Sequence, residues 1–460
     1  MIIKDGLLAL PGEGQLLRAD LRFSDERITS IASSITPAKG EELIDASGLM
    51  VFPAAIDPHV HFDEPGFTHR EDYFHGTMEA AKGGVGTIID MPCTSLPPIT
   101  TKAAYENKLS VVQGKALVDY AFFGGVSGHT AEASLSGGMD ELAPFVVAFK
   151  CYFISGMDSF TAVDHDQFRR ILVEGTRLGR PILLHAEDPG CVKGAEARLA
   201  AERRASGRAS TWRDYLEPRN PDAELVAAAS ALALARGREA GLHIVHVGTA
   251  EVARMVAAAG ASCETCAHYL AFDEDDFGSL GAALKTAPPV KTASDRAGLW
   301  QLLTTGSISF LASDHAPAPE AEKATGDPLT AYGGIPGVGT GFPYLLSEGY
   351  LSGRIPLPRF LEASSLAAAR RYGLAARKGS LEVGKDADFV LVDPAGTTTI
   401  EGKTLLSLGK ITPFEGMRLT GRIVGTWVRG GAVYEARNAS GPASIVASPG
   451  SGKHLTWGYR

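Results

Sequence analysis

The sequence predicts an α/β protein with a parallel (β/α)8 barrel of the TIM type and a small β-sandwich domain formed from both ends of the chain. Between residues 53 and 378, short apolar runs of strand length alternate eight times with longer amphipathic or Ala-rich stretches, which is typical of such a barrel. Residues 1–52 and 379–435 instead carry short alternating runs broken by Gly and Asp. Because neither end offers enough strands to be stable alone, we expect both ends to build one domain.

The composition is that of a globular protein that can bury a large core. The chain has 460 residues, of which 45% are hydrophobic and 21% are charged. A net charge of −9 argues against a nucleic-acid-binding protein, which needs a basic face. The sequence shows no apolar run of about 18 residues, as a membrane span needs, and no apolar signal peptide. Five scattered cysteines do not suggest a disulfide framework, so we expect a cytoplasmic protein without a membrane partner.

Almost every predicted barrel strand ends on a polar, metal-binding or reactive residue. The ends fall near Asp57, Asp90, Phe123, Lys150, His185, His246, Cys266 and Asp314. Since the chemistry of such barrels takes place at the C-terminal ends of the strands, these residues are predicted to surround the active site. The Gly- and Pro-rich stretch 316–343 is typical of a mobile loop beside that site. Residues 436–460 are small and polar, and we expect a loosely attached C-terminal tail.

Three side chains at the ends of the first and fourth strands are candidate metal ligands. His59 and His61 are two residues apart, so their imidazoles point to the same face of a strand and can hold one cation. Lys150 ends an apolar run, where burial favours the neutral amine. A neutral amine can add carbon dioxide to form a carbamate, whose two oxygens could bridge two cations. Taken singly, the histidines could be structural and the lysine could reach out to solvent.

His185, His246 and Asp314 complete the predicted ligand set. The histidines end the fifth and sixth strands, and Asp314 ends the eighth, where a carboxylate can ligate a metal and accept a proton from metal-bound water. Six such ligands suit two divalent metal ions, with Zn²⁺ favoured and manganese, iron or cobalt left open. Two such ions would hold a hydroxide between them. His243 lies at an odd offset from His246, so we expect it to face away from the site.

The candidate ligands belong to longer motifs, which are part of a resemblance that covers roughly residues 1–435. These motifs are Ile56–Phe62, Glu64–Gly66, Gly83–Val85, Asp90–Pro92, Phe149–Lys150, His185–Glu187, His246–Val247, Glu264–Cys266, Ala287–Pro289, Ser313–Pro317 and Thr412–Gly416. Together they resemble the cyclic amidohydrolase branch of the amidohydrolase superfamily, which contains allantoinase, the hydantoinases or dihydropyrimidinases, and dihydroorotase. The resemblance implies a hydrolase that opens the C–N bond of a cyclic amide or ureide with two metal ions.

The resemblance also implies a role for each ligand. One metal is held by His59, His61 and Asp314, the other by His185 and His246, and Lys150, carboxylated by carbon dioxide, bridges the two. Asp314 is then the catalytic residue. It takes a proton from the bridging hydroxide as this attacks the ring carbonyl, and it delivers the proton to the leaving ring nitrogen.

Two positions bear on which ring is opened. Dihydroorotases carry Arg directly after the H-x-H-hydrophobe motif and Asn in a Met-Pro-Asn-Thr motif, whereas this chain has Asp63 and Cys93 there. Asp63 would repel the carboxylate of dihydroorotate. Phe62–Gly66 is nearer the allantoinase form, which has Asn in place of Asp63, and Asp119–Gly125 resembles the hydantoinases. The sequence therefore favours an allantoinase- or hydantoinase-like enzyme, with dihydroorotase as the alternative.

The remaining expectations concern substrate contacts, assembly and other functions. Substrate contacts are expected from Asp63, Cys93, Tyr152, His268 and His315, and the substrate is a small cyclic ureide or amide. Relatives are commonly dimers or tetramers, so we expect a homodimer or homotetramer. Two further alternatives are a non-catalytic scaffold, since some relatives keep the fold but lose the ligands, and a hydrolase of phosphoesters or acyclic amides. All six ligands are present here, which favours the cyclic amidohydrolase.

Overall fold

A computed structural model describes residues 1–436 and 444–460 of the chain. Strands from both ends of the chain form one eight-stranded sheet. In spatial order its strands are Gly431–Glu435, Arg418–Val428, Phe389–Thr399, Met50–Pro53, Ile2–Leu8, Leu17–Ser24 and Arg27–Ala32, with Leu43–Asp45 beside Ile2–Leu8. The two ends meet where Val51 pairs with Leu391 in an antiparallel ladder. The predicted small β domain built from both termini is therefore confirmed.

Eight parallel strands form the barrel. They are Ala55–Val60, Val85–Asp90, Asp119–Phe122 continued by Gly124–Gly125, Phe149–Tyr152, Ile182–His185, Leu242–Ile244, Ser262–Cys266 and Phe310–Ala312. Neighbouring strands pair in parallel all the way round. The ring closes between the first strand and the segment after the eighth, where Val60 bridges His315 and the His61 N–H donates to the His315 carbonyl at 2.7 Å. The predicted (β/α)8 barrel is confirmed.

The α-helices lie in the segments that follow the barrel strands. They are Tyr73–Lys82, Lys102–Val112, Ala131–Ala133, Met139–Leu142, His165–Leu178, Pro189–Ser206, Arg213–Leu216, Pro221–Leu234, Ala250–Ala258, Ala267–Ala271, Phe277–Leu280, Ala293–Thr305, Glu320–Lys323, Val338–Tyr344, Leu357–Leu361 and Ala367–Arg371. Within the described ranges, none of them is both long and apolar enough to cross a membrane.

The helix His165–Leu178 shows how the sequence sets these boundaries. Asp164 caps its first turn in a capping box with Gln167, and Gly179 ends it in the left-handed conformation at φ 63°. Buried Phe168, Ile171, Leu172 and Gly175 recur at helical spacing and pack toward the barrel. The amphipathic and Ala-rich stretches predicted between the barrel strands therefore do form helices, and Pro221–Leu234 and Ala250–Ala258 are two further examples.

The C-terminal segment is part of the barrel layer. His454 and Leu455 form a short strand parallel to Asp119–Phe122, and the Leu455 side chain is fully buried. Asp119 holds this strand in place by accepting from the Lys453 N–H at 2.8 Å. The expectation of a loosely attached tail is therefore wrong for residues 444–460, since a two-residue strand has no periodicity that reveals it in a sequence. The rest of the predicted tail beyond Ala436 lies outside the described residues.

Candidate metal and active site

The first cluster of candidate ligands joins the first and eighth strands. His59 and His61 project from the end of Ala55–Val60, and their Nε2 atoms lie 3.2 Å and 3.3 Å from Asp314 Oδ1. These donor atoms lie within 4.8 Å of one another. The spacing of two residues therefore does place both imidazoles on one side, where a carboxylate two residues past the eighth strand meets them.

The second cluster joins the fifth and sixth strands. His185 Nδ1 lies 3.0 Å from His246 Nε2, and the ring centres of His59 and His246 are 5.3 Å apart, so the two clusters adjoin. His246 and Asp314 both have a left-handed backbone, with φ of 39° and 50°. That conformation costs non-glycine residues on the order of 1–3 kcal/mol and is concentrated at functional sites. The left-handed turn lets each side chain join its cluster although it lies two residues after its strand has ended.

Lys150 supplies the unusual member of the set. Its side chain is fully buried, and its Nζ makes no hydrogen bond to any residue in the described ranges. Burial lowers the pKa of Lys150 to about 8, although the nearby Cys93, Glu264 and Asp314 side chains act in the opposite direction. The Nζ stands 4.9 Å from the ring centre of Tyr152. Such an amine is readily deprotonated and can react with carbon dioxide.

Carboxylates behind the histidines orient them. Glu187 Oε2 accepts from His185 Nε2 at 2.9 Å, which leaves the Nδ1 lone pair of His185 facing His246. Burial opposes ionisation of Glu187, but Arg219 and His185 hold the pKa of its carboxyl well below the usual range. Glu264 contacts His59 Nδ1 and thereby turns Nε2 toward Asp314. The sequence placed both acids in motifs without assigning them this role. The signal for Glu187 is its position two residues after His185.

His243 contradicts one expectation. It lies inside the barrel rather than facing away, stacked on Phe310 with ring centres 5.2 Å apart. Its Nε2 contacts Glu264 Oε2 at 3.1 Å, so His243 and His59 share one carboxylate. The prediction is wrong because the strand ends at Ile244, and the left-handed turn at His246 breaks the alternation on which it relied.

The charge state of the cluster suits cation binding. Burial holds the pKa values of His59, His185 and His246 below the ordinary histidine value, so these imidazoles are neutral donors. Burial opposes ionisation of Asp314, but His59 and His61 hold its pKa well below the usual range. Burial also acts against protonation of His61, but Cys93 and Asp314 raise its pKa to about 10. A cation that binds His61 therefore displaces a proton.

The donor set fits divalent metal ions. It combines four imidazoles, one carboxylate and one amine that carbon dioxide can convert to an anion. His59 Nε2 and Lys150 Nζ are buried without a hydrogen-bond partner elsewhere in residues 1–436 and 444–460, which a bound cation would remedy. A second acidic group, Asp119 with Asp386 and Asp388, does not compete as a site because the Lys378 ammonium already lies among its carboxylates.

The cluster opens into a cavity of about 740 Å³. Among the residues that line it are His61, His185, His246 and Asp314 from the cluster, and also Phe67, Arg70, Cys93, Tyr152, Arg203, Arg219, Lys285 and Tyr332. Two of the predicted substrate contacts, Cys93 and Tyr152, are therefore on its wall, where Cys93 Sγ and Tyr152 Oη are 3.0 Å apart. Tyr152 also stacks on the His185 ring at 5.0 Å.

The other three predicted substrate contacts do not line this cavity. Asp63 is buried, and neither of its carboxylate oxygens has a hydrogen-bond partner within the described chain. His268 is buried with its ring centre 4.2 Å from that of Tyr269. His315 uses Nε2 on Glu71 at 3.1 Å, while Nδ1 accepts from the backbone N–H groups of residues 337 and 338. Since both ring nitrogens of His315 are occupied, we revise its assignment from substrate contact to support of the loop after Asp314.

Two lysines that the sequence did not single out hold one wall of the cavity. Lys323 Nζ donates to the backbone carbonyl of Gly334 at 2.7 Å and also faces the Tyr332 carbonyl at 3.3 Å. Lys285 Nζ donates to the Ala331 carbonyl at 2.6 Å. Both side chains are buried, and the hydrogen bonds of their amino groups hold the segment 329–334 within the Gly- and Pro-rich loop predicted beside the site.

Comparison with known proteins adds independent findings. The model of the Amidohydrolase family matches residues 50–433. A protein named allantoinase from Rubrobacter xylanophilus is 39% identical over 439 residues, covering 94% of each chain. An allantoinase from Deinococcus radiodurans is 35% identical over 443 residues, covering 95% of each.

Solved structures show the same architecture. An L-hydantoinase (dihydropyrimidinase) from Arthrobacter aurescens superimposes with a TM-score of 0.91 at 29% identity, covering 99% of both chains. A dihydropyrimidinase from Brevibacillus agri has a TM-score of 0.88 at 28% identity, covering 100% of this chain and 98% of its own.

Proposed function

Because this chain belongs to the amidohydrolase family and is a hydrolase of cyclic amides, we propose that its substrate is allantoin, whose five-membered ureide ring it opens by hydrolysis of a C–N bond. The reaction type, hydrolysis with bound metal ions, is supported by one arrangement. Four imidazoles, Asp314 and the buried Lys150 amine converge at one end of the barrel. The choice of ring is supported by the named allantoinases, which share 35–39% of their residues with almost the whole chain.

The residues that would hold two divalent cations, Zn²⁺ being our proposal, follow from the two clusters. His59, His61 and Asp314 would ligate one ion, and His185 with His246 the other. Lys150, carboxylated by carbon dioxide, would bridge them. When bound, two such ions supply Lewis acidity, which acidifies water and polarises a carbonyl oxygen.

In the proposed reaction Asp314 transfers a proton, and Tyr152 donates a hydrogen bond to the substrate. A water oxygen forms a bond to the ring carbonyl carbon, and Asp314 accepts the proton that the water loses. As the C–N bond breaks, Asp314 donates this proton to the leaving nitrogen, which becomes the terminal NH2 of the opened ureide. The new carboxyl group releases the second proton of the water to solvent and becomes a carboxylate. Burial raises the pKa of Tyr152 well above its ordinary value, so its Oη keeps its proton and can donate a hydrogen bond to the substrate.

Assembly and location belong to the proposal as well. We propose a homodimer or homotetramer in the cytoplasm, and a division of the chain into a β domain of residues 1–52 with 379–435 and a catalytic barrel of residues 53–378. A hydantoinase-type substrate is the second candidate, because the hydantoinase structures match the fold over their full length. Dihydroorotate is disfavoured, since Asp63 stands in place of the arginine that would bind its carboxylate.

Ring opening by purified protein of known metal content tests the proposal. Allantoin, hydantoin, dihydrouracil and dihydroorotate are offered separately at equal concentration, and turnover is followed as loss of the ring. We expect allantoin to have the highest kcat/KM. A higher kcat/KM for hydantoin or dihydrouracil would transfer the assignment to the second candidate, and hydrolysis of none of the four rings by metal-loaded protein would contradict it.

A further inference from the structure

One guanidinium on the cavity wall has hydrogen-bonding capacity that the protein does not use. Arg219 lines the cavity, and 18% of its side-chain surface is exposed to solvent. NH1 donates to Glu187 Oε2 at 2.6 Å. A guanidinium carries five N–H groups in a rigid plane, and within the described part of the chain the side-chain hydrogen bond of Arg219 comes from NH1 and none comes from Nε or NH2. These donors therefore remain available to a molecule in the cavity.

Two other cations on the same wall are more fully engaged. Lys285 donates to two backbone carbonyls, and Arg70 makes contacts with Glu322 through both Nε and NH2. Arg203 donates one hydrogen bond, to Asp214 at 2.9 Å, but within the described residues Asp214 contacts none of the six candidate ligands. Arg219 differs because the carboxylate that anchors it also holds a candidate metal ligand.

Glu187 links Arg219 to the reaction centre. Its Oε2 accepts from Arg219 NH1 and also from His185 Nε2 at 2.9 Å, so one carboxylate oxygen separates the guanidinium from the imidazole. The anchored NH1 fixes the plane of the guanidinium, which reduces the entropy lost when its free N–H groups bind an acceptor. Arg219 and the ligand cluster therefore adjoin on the wall of the same cavity.

We propose that Arg219 is a specificity-determining residue that binds the carbonyl oxygen of a ureido arm on the ring carbon next to the attacked carbonyl. The free Nε and NH2 of Arg219 form a planar fork of N–H donors. This fork matches the two in-plane lone pairs of a urea oxygen. This inference rests on the proposed function, because among the rings considered above allantoin is the one with such an arm. It predicts that Arg219 separates allantoin from a hydantoin that has the same ring without the arm.

The test compares allantoin with 5-methylhydantoin in metal-loaded enzyme carrying Arg219→Lys. Lysine keeps a cation beside Glu187 but lacks the fork. We expect kcat/KM for allantoin to fall about 10- to 100-fold and that for 5-methylhydantoin to change by about twofold or less, with metal content unchanged. Arg208→Lys is the matched control, since Arg208 also pairs with a buried carboxylate, Asp214, but does not line the cavity.

Each alternative result overturns the proposal in a distinguishable way. Parallel loss with both rings, accompanied by loss of metal, means that Arg219 acts only through Glu187 and His185. An unchanged kcat/KM for allantoin means that the fork does not touch the arm. If the wild-type protein opens 5-methylhydantoin but not allantoin, the proposed function itself fails, and this is seen before any variant is made.

Discussion

His185 Nδ1 and His246 Nε2 face each other at 3.0 Å at the C-terminal end of the barrel. Glu187 occupies the far nitrogen of His185, and burial keeps both imidazoles neutral. Two neutral nitrogens that converge in this way offer lone pairs to one cation, and a second set of donors, His59 with His61 and Asp314, adjoins them. Several consequences of this arrangement can be measured.

Glu187→Gln should weaken metal binding. The amide cannot carry the negative charge that raises the basicity of His185, and loss of such outer partners typically costs about 10- to 100-fold in metal affinity. Competition with a chelator measures the affinity, with Glu202→Gln as control because Glu202 is an exposed carboxylate outside the cavity. Unchanged affinity in Glu187→Gln would show that the carboxylate does not support the ligand.

Carboxylation of Lys150 should depend on pH. Burial lowers the pKa of its amine to about 8, and only the neutral amine adds carbon dioxide. At a fixed concentration of dissolved carbon dioxide, reconstitution of metal-free protein should therefore accelerate about tenfold between pH 7 and pH 9. Mass spectrometry under non-denaturing conditions should show one added carbon dioxide per chain, absent in Lys150→Ala. Full metal content and turnover in Lys150→Ala would show that a Lys150 carbamate is not needed to bind the metal ions.

Asp63→Asn should stabilise the metal-free protein at high pH only. Burial raises the pKa of Asp63 to about 7, from the ordinary value of 3.8. The folded state therefore holds this proton more tightly than the unfolded state, and the free energy of unfolding falls as pH rises from about 4 to about 7.

The asparagine removes this loss, on the order of 2–4 kcal/mol at pH 8, and has no such effect at pH 4. Urea unfolding at both pH values measures the difference, with exposed Asp158→Asn as control. A variant that is equally stabilised at both values would contradict the assigned cause.

Lys323→Met should weaken substrate binding more than it slows chemistry. The change leaves backbone carbonyls of Tyr332 and Gly334 without a donor, and the segment 329–334 forms part of the cavity wall. An unpaired buried carbonyl costs about 1–3 kcal/mol, so we expect KM to rise roughly 10-fold and kcat to change less. Faster proteolysis within 325–334 should accompany the change, and exposed Lys193→Met should show neither effect. An unchanged KM would show that Lys323 does not hold this part of the cavity wall in place.

The parts of the site that could be predicted from sequence are those set by strand geometry. His59 and His61 share a face because residues two apart in a strand do so, and Lys150 and His185 lie at or beside strand ends where barrel chemistry is expected. The barrel fold could be predicted as well, because an apolar run of strand length alternates eight times with a helical stretch in the sequence. Capping residues such as Asp164 also set helix boundaries locally.

The parts that escaped prediction depend on contacts between distant segments. His246 and Asp314 lie two residues beyond their strands and reach the site through left-handed turns. Because the turn at His246 breaks the strand alternation, His243 lies inside the barrel and not on the opposite side as expected. The pairing of Glu264 with both His59 and His243 arises only when the barrel closes. His315 looked like a substrate contact because it follows Asp314, but residues 71 and 337–338 occupy both of its nitrogens.

A metal titration tests the central claim most directly. Metal-free protein in bicarbonate buffer receives increasing Zn²⁺, and allantoin hydrolysis is plotted against equivalents of metal per chain. The six-ligand site predicts activity that rises to a plateau at about two equivalents and is absent without metal. A plateau at one equivalent, or allantoin hydrolysis by the metal-free protein, would contradict the two-metal account.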